Sequence, residues 1–153
     1  MSASPHLEVR RLGATDYAAT LKLQHALVEQ RAKAEVGDVL ILTEHEPVLT
    51  VGRGGTTEDL GALDLPVHEV TRGGEATWHG PGQAVAYPIL QLGEDRRDLH
   101  RYLRDLEEVA IGVLDEFQLE GVRKEGATGV WLCLLYTSTS PRDRSLSRMP
   151  SSA

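Results

Sequence analysis

The sequence predicts a single α/β (α+β) domain, a mixed β-sheet with flanking helices. Three observations carry this. Short apolar runs alternate with helical patterns without strict β-α-β order. One late segment shows clear 3.6-residue periodicity. Between them lies a glycine-rich polar stretch, residues 71–83, of the kind that joins strands and exposes backbone. The 153 residues, 41% hydrophobic and 25% charged, suffice for one core.

In chain order, Leu7 to Arg10 alternates as a short first strand. Thr15 is positioned to cap a helix running from Asp16 to about Ala34, with Tyr17, Leu21, Gln24 and Val28 on one face and Leu23 and Leu27 widening it. Gly37 and Asp38 close that segment. Val39 to Leu42 is a continuous apolar run, as in a strand covered on both faces. A polar turn, Glu44 to Pro47, leads to a second strand, Val48 to Val51, and then to a flexible basic loop, Gly52 to Gly55. Val67 to Val70 is a short strand that delivers the glycine-rich stretch, and Ala84 to Leu92 is the longest strand candidate. Asp98 is an N-cap for a helix whose apolar positions run from Leu99 through Tyr102, Leu106, Val109 and Val113 to Phe117, with Gly121 as its stop.

A net charge of −7 disfavours nucleic acid and anionic membranes as partners. No apolar run approaches the ~20 residues of a bilayer span, and no signal segment is visible at the N-terminus, so a cytoplasmic location is expected. The one cysteine, Cys133, excludes an internal disulfide. Composition changes near Leu132: residues 1–131 hold two serines and residues 132–153 hold six, with Arg142, Arg144 and Arg148 against Asp143. Residues 132–153 read as a non-native, disordered tail that resembles translated sequencing adapter, and residues 1–131 as the body of the domain.

The chemistry concentrates in Arg72, Gly73, Gly74, Glu75, Ala76, Thr77, Trp78 and His79, followed by Gly80, Gly82 and Gln83. Glycines let a ligand approach the backbone N–H groups, and Arg72 adds a fixed charge and a planar donor fork. Neither a P-loop nor a dinucleotide glycine pattern is present. His45, His68 and His79 lack chelating spacing, so neither a metal nor a cofactor is expected. No serine lies between Ser4 and Ser138, which leaves no visible nucleophile in the body of the chain.

The ordered set Arg72-Gly73-Gly74-x-x-Thr77-Trp78-His79-x-x-Gly82-Gln83-x-x-x-Tyr87 resembles the signature of the lipoyl(octanoyl) transferases. His45-Glu46-Pro47-Val48-Leu49-Thr50-Val51-Gly52-Arg53 is similar to an upstream segment of that family, and Gly129-Val130-Trp131 to a downstream strand. The resemblance covers most of residues 7–131. It implies the mixed-sheet fold of the biotin and lipoate protein ligases, incomplete at the C-terminus. It also implies transfer of an octanoyl group from octanoyl-acyl carrier protein to a lysine of lipoyl domains, those of 2-oxoacid dehydrogenase complexes and the glycine cleavage H protein. Residues 72–79 then bind substrate. Burying the eight-carbon chain contributes ~5–6 kcal/mol at ~0.8 kcal/mol per methylene, in a groove expected beside Ala84 to Leu92. Loop N–H groups and His79 are the expected oxyanion donors; Arg72 anchors the loop or meets the acidic carrier.

The family's catalytic cysteine and its activating lysine both follow the Gly-Val-Trp strand. Lys124 precedes that strand and Cys133 comes too early, so neither is assigned and the chain is expected to be inactive. The alternatives are an ATP-dependent lipoate or biotin ligase and a non-catalytic acyl or carrier-protein binding module.

Overall fold

The computed structural model describes residues 6–57, 64–93 and 97–132. Contacts gather them into two compact units, Met1–Gln91 and Leu92–Ala153. The mixed α/β class is as expected. The tail proposed from composition lies outside the described residues, apart from Leu132, which ends a strand.

In the first unit, β1 (Leu7–Thr15), α1 (Tyr17–Ala32) and β2 (Asp38–His45) form a crossover that places β1 parallel to β2. β1 is more than twice as long as its alternation suggested. A register shift beside Gly13, at φ +70°, interrupts the pairing, and such a bulge hides the continuation from a period-two pattern. β6 (Val85–Ile89) adds antiparallel to the other edge of β2. It is shorter than the run Ala84 to Leu92 promised, and Pro88, which has no N–H to donate, fits its place at a sheet edge. Leu27, Val39, Ile41 and Ile89 form the core, with Leu23 and Tyr87 packed on it.

Asp16, not Thr15, caps α1: its carboxylate accepts the Ala19 N–H at 2.8 Å. Thr15 is the last residue of β1, opposite His45. The buried face of α1 is Tyr17, Thr20 and Leu27, and Val28 is 53% exposed. Thr20 tolerates burial because its hydroxyl donates within the Thr15 and Asp16 turn. The helix ends at Ala32, short of Gly37, with Ala34 left-handed at φ 57°.

The second sheet of this unit has the order β4-β3-β5: β3 (Val48–Val51) lies between β4 (Val67–Glu69), parallel, and β5 (Ala76–His79), antiparallel. Every residue of β3 is buried. The stretch read as one loop over residues 71–83 is therefore a loop, an edge strand and a turn. Its strand belongs to this sheet, while the apolar run that follows it belongs to the other.

The second unit holds α2 (Leu99–Glu116) and a hairpin of β7 (Gly121–Arg123) and β8 (Val130–Leu132). Asp98 caps α2 as expected, accepting from His100 and Arg101. The helix stops before Gly121, at Phe117, with Gln118 left-handed at φ 58° and Leu119 N–H returning to Leu114 C=O. Gly121 instead opens β7, where a Cβ would stand 2.8 Å from Leu114 and 2.9 Å from Val130. Glu107, buried on α2, ties the unit together by accepting from Gly129 N–H at 2.8 Å, Arg104 at 2.7 Å and Arg123 at 3.2 Å. The Gly129 N–H, and then the two guanidinium groups, hold its carboxyl below the ordinary value. Lys124 lies over the Trp131 ring at 5.2 Å.

Candidate substrate-loop site

The site is built on β3. Where this strand ends, residues 52–55 turn and run against residues 71–75. Gly52 N–H donates to Glu75 C=O at 2.9 Å, Arg53 N–H to Arg72 C=O at 3.1 Å, and Gly54 N–H to Gly74 C=O at 3.1 Å. The Arg53 Nε adds a bond to Thr71 C=O at 2.8 Å, and the Arg72 Nη1 one to Gly73 C=O at 2.9 Å. All five carbonyls from Thr71 to Glu75 are thus used inside the clasp. Among the described residues, the N–H groups of Gly73, Gly74 and Glu75 have no acceptor. The segment Gly52 to Gly55, expected to be a flexible basic loop, is instead one half of a hydrogen-bonded pair.

Gly52 makes this approach possible. A Cβ there would stand 2.5 Å from Gly74 O and 2.8 Å from Gly73 O. Gly74, at φ +80°, supplies the left-handed residue that reverses the loop.

Arg72 is turned inward. Its Nη2 donates to Thr50 C=O at 2.9 Å, to Thr50 Oγ1 at 3.0 Å and to Thr77 Oγ1 at 2.7 Å. Of the two roles considered for it, the geometry shows the anchor. Thr77 lies opposite Thr50 across the β3–β5 pairing. Trp78, half-exposed, overlies Gly80, whose Cβ would fall inside the indole. His79 is half-buried, with Nδ1 2.6 Å from Gln83 Oε1 and Nε2 3.3 Å from Thr50 Oγ1. Glu75 and Ala76 are exposed, Ala76 opening β5 opposite Val51. Residues 72–79 are therefore one continuous feature, loop followed by edge strand.

Tyr17 brings the three histidines together, an arrangement that spacing along the chain did not reveal. Its ring centroid is 5.2 Å from His45, 5.1 Å from His68 and 6.3 Å from His79, with the last pair stacked at 14°. His45 was read as part of a polar turn; it ends β2 and is 1% exposed. Its Nε2 is 2.7 Å from the Tyr87 hydroxyl and its Nδ1 3.3 Å from Thr15 C=O, so Nδ1–H donates and Nε2 accepts. Burial pushes the His45 imidazole below its ordinary value and the Tyr87 phenol up to about 12. No group of three or more His, Cys, Asp or Glu side chains among the described residues is placed to hold a metal ion.

A cleft of about 360 Å³ opens where β3 and β4 end, lined by Val51, Gly52, Arg53, Gly55, Glu69 and Val70 among others. It borders the clasp and not β6, where the acyl groove was expected; β6 pairs with β2 in the other sheet. Thr50 and Gly52 were not among the substrate-binding residues expected from sequence. The upstream Thr50-Val51-Gly52-Arg53 match was the available signal for both.

The family model for the lipoyl protein ligase A/B catalytic domain matches residues 16–134. An octanoyltransferase from Rubrobacter xylanophilus is 50% identical over 135 residues, covering 82% of this chain and 60% of its own. One from Geobacter metallireducens is 46% identical over 123 residues, covering 80% and 58%. The chain thus spans about 60% of the length of these curated relatives. Among solved structures, a bi-partite lipoate protein ligase from Thermoplasma acidophilum superposes with a TM-score of 0.63 at 16% identity, over 84% of this chain and 52% of that one. LipL1 of P. falciparum, in complex with lipoate, gives 0.59 at 12% identity, over 84% and 41%. At such low identity these superpositions show a shared fold and no more. With the family model matched across most of its length, the chain belongs to the lipoyl protein ligase A/B catalytic domain family.

Proposed function

We propose that this chain is the substrate-loop portion of an octanoyltransferase that acts in lipoate biosynthesis, with residues Arg72 to His79 binding the acyl donor. In the reaction, the octanoyl carbonyl leaves the thioester sulfur of octanoyl-acyl carrier protein and ends on the ε-amine of a lipoyl-domain lysine. An amide forms, the carrier regains its thiol, and the amine gives up a proton. The observation that carries this reading is the polarity of the clasp. All five carbonyls of the stretch are used inward, while its N–H groups, those of Gly73, Gly74 and Glu75 among them, have no acceptor among the described residues and are left for a ligand. A thioester oxygen that gains negative charge needs such preorganised donors. Arg72 supports them without spending its charge on the ligand, since its fork is committed to Thr50 and Thr77.

The high identity to octanoyltransferases supports octanoyl as the group carried. It likewise supports acyl carrier protein as donor and lipoyl domains as acceptors, among them those of 2-oxoacid dehydrogenase complexes and the glycine cleavage H protein. Titrating octanoyl-pantetheine into ¹⁵N-labelled chain tests the site. Amide shifts concentrated at Gly73, Gly74 and Glu75 are expected. Shifts confined to residues outside 72–79 would refute the assignment.

A further inference from the structure

We infer that Thr50 is a positioning residue that couples the glycine loop to His79, an inference that rests on the substrate-loop reading above. Thr50 is 1% exposed on the central strand of its sheet, and its hydroxyl is the meeting point of two otherwise separate groups. Arg72 Nη2 approaches Thr50 Oγ1 at 3.0 Å, and His79 Nε2 lies 3.3 Å from the same oxygen. A guanidinium only donates, so the oxygen accepts from Arg72 and keeps its own proton for a second partner. Of the acceptors in reach, His79 Nε2 at 3.3 Å is nearer than Thr77 C=O at 3.5 Å.

The sense of every later bond follows. With Nε2 accepting, the His79 proton sits on Nδ1 and is donated to Gln83 Oε1 at 2.6 Å. That fixes the Gln83 amide so that its Nε2 donates to Trp78 C=O at 3.3 Å. A single line of donors thus runs Arg72, Thr50, His79, Gln83 and closes on the β5 backbone. Tyr17, stacked on His79, leaves the ring little room to turn out of it. Both ends of the line belong to the substrate-binding stretch, whereas Thr50 lies beneath it on β3. Its effect is to set which imidazole nitrogen carries the proton and to hold Arg72 under the loop.

Long-range ¹⁵N–¹H spectra of the imidazoles in the 153-residue chain read the tautomer directly, and octanoate titration reads the site. In the unsubstituted protein His79 should carry its proton on Nδ1. Thr50→Val keeps the shape and removes the hydroxyl; it should move the His79 ring signals and weaken octanoate binding by about tenfold or more, the size of one lost charge-assisted bond. Thr50→Ser restores the hydroxyl and should recover both. Arg72→Lys, which does not touch His79, should also move its ring signals, and this decides the matter if the valine variant fails to fold. A proton on Nε2 in the unsubstituted chain, or His79 signals indifferent to Arg72→Lys, overturns the inference. If octanoate binds no version while His79 still responds, the coupling stands and the substrate reading is what fails.

Discussion

Replacing Gly52 with alanine tests the clasp most directly. The new Cβ would lie 2.5 Å from Gly74 O, 2.8 Å from Gly73 O and 3.0 Å from Arg72 Nη1. Two of these are backbone oxygens, which cannot swing aside as a side-chain tip can. The protein then has two responses. It can keep the clasp and hold the strain, which in a packed site costs about 1–3 kcal/mol. Alternatively the two segments part, losing the bonds from Gly52, Arg53 and Gly54 to the facing carbonyls, each worth ~0.5–1.5 kcal/mol net. Parting therefore costs about 1.5–4.5 kcal/mol, and the two estimates overlap at about 1.5–3 kcal/mol, the destabilisation expected. For a unit the size of Met1–Gln91 this lowers the melting temperature by about 4–8 °C per kcal/mol. Amide exchange distinguishes the responses, because only parting exposes the Gly52 and Gly54 N–H groups. Gly73→Ala is the control: nothing lies within 4 Å of its Cβ and its φ is not positive. It should leave the melt within ~0.5 kcal/mol and reduce only octanoyl-pantetheine binding. A Gly52→Ala protein with unchanged melting and unchanged exchange would refute the clasp.

Four further outcomes follow from the same geometry. Gln118→Gly at the end of α2 should stabilise the second unit by ~0.5–1 kcal/mol, since Gln118 holds φ 58°, a conformation glycine takes freely; a drop in urea midpoint would contradict this. The folded-state value of His45 is depressed, chiefly by burial, so the stability tied to it is intact above its ordinary 6.5 and falls as pH drops below that. His45→Gln should flatten the urea-midpoint slope between pH 6.5 and 5, and an equally steep slope in the variant would rule His45 out as its cause. Tyr87 has the opposite sign: raised from 10 to about 12, its contribution holds below 10 and is lost as pH climbs through that window, so Tyr87→Phe should make the alkaline slope shallower, and an equally steep slope would contradict this. Finally, Gly74→Ala, which forces a Cβ onto a residue at φ +80°, should weaken octanoyl-pantetheine binding and lower the melting temperature together, and a variant that binds and melts as the parent does would sink that expectation.

What the sequence made legible was periodicity and order. Val39, Ile41, Val48 and Val51 announced their strands, Asp98 its cap, and the ordered residues from Arg72 to Gln83 their family. Misread features were those whose cause is a partner distant in the chain. Thr50 looks like an ordinary β-branched strand residue, and only the pairing of β3 with β5 puts its hydroxyl between Arg72 and His79. His45 sits among Glu44, Glu46 and Pro47, so local composition says turn, yet its place at the end of β2 sets it against Tyr17 and Tyr87. Gly52 and Gly55 suggested flexibility because glycine is permissive. In the fold each is small because another backbone segment passes over it: a Cβ at Gly55 would meet Val51 at 2.9 Å and Glu75 at 3.2 Å.

That last contrast bears on how glycine-rich loops are read. Gly73 has open space and Gly52 has none, though both stand in a Gly-rich, arginine-flanked stretch. Their roles therefore differ in kind. Gly73 leaves open space beside N–H groups that have no acceptor among the described residues, the proposed ligand donors, whereas Gly52 admits the run of carbonyls paired against it. A loop can present donors only if its acceptors are satisfied elsewhere, so the segment from Gly52 to Gly55 is as much a part of the binding feature as the residues that would touch the acyl group. Alanine at the two positions should accordingly separate, Gly52→Ala altering stability and exchange and Gly73→Ala altering affinity alone.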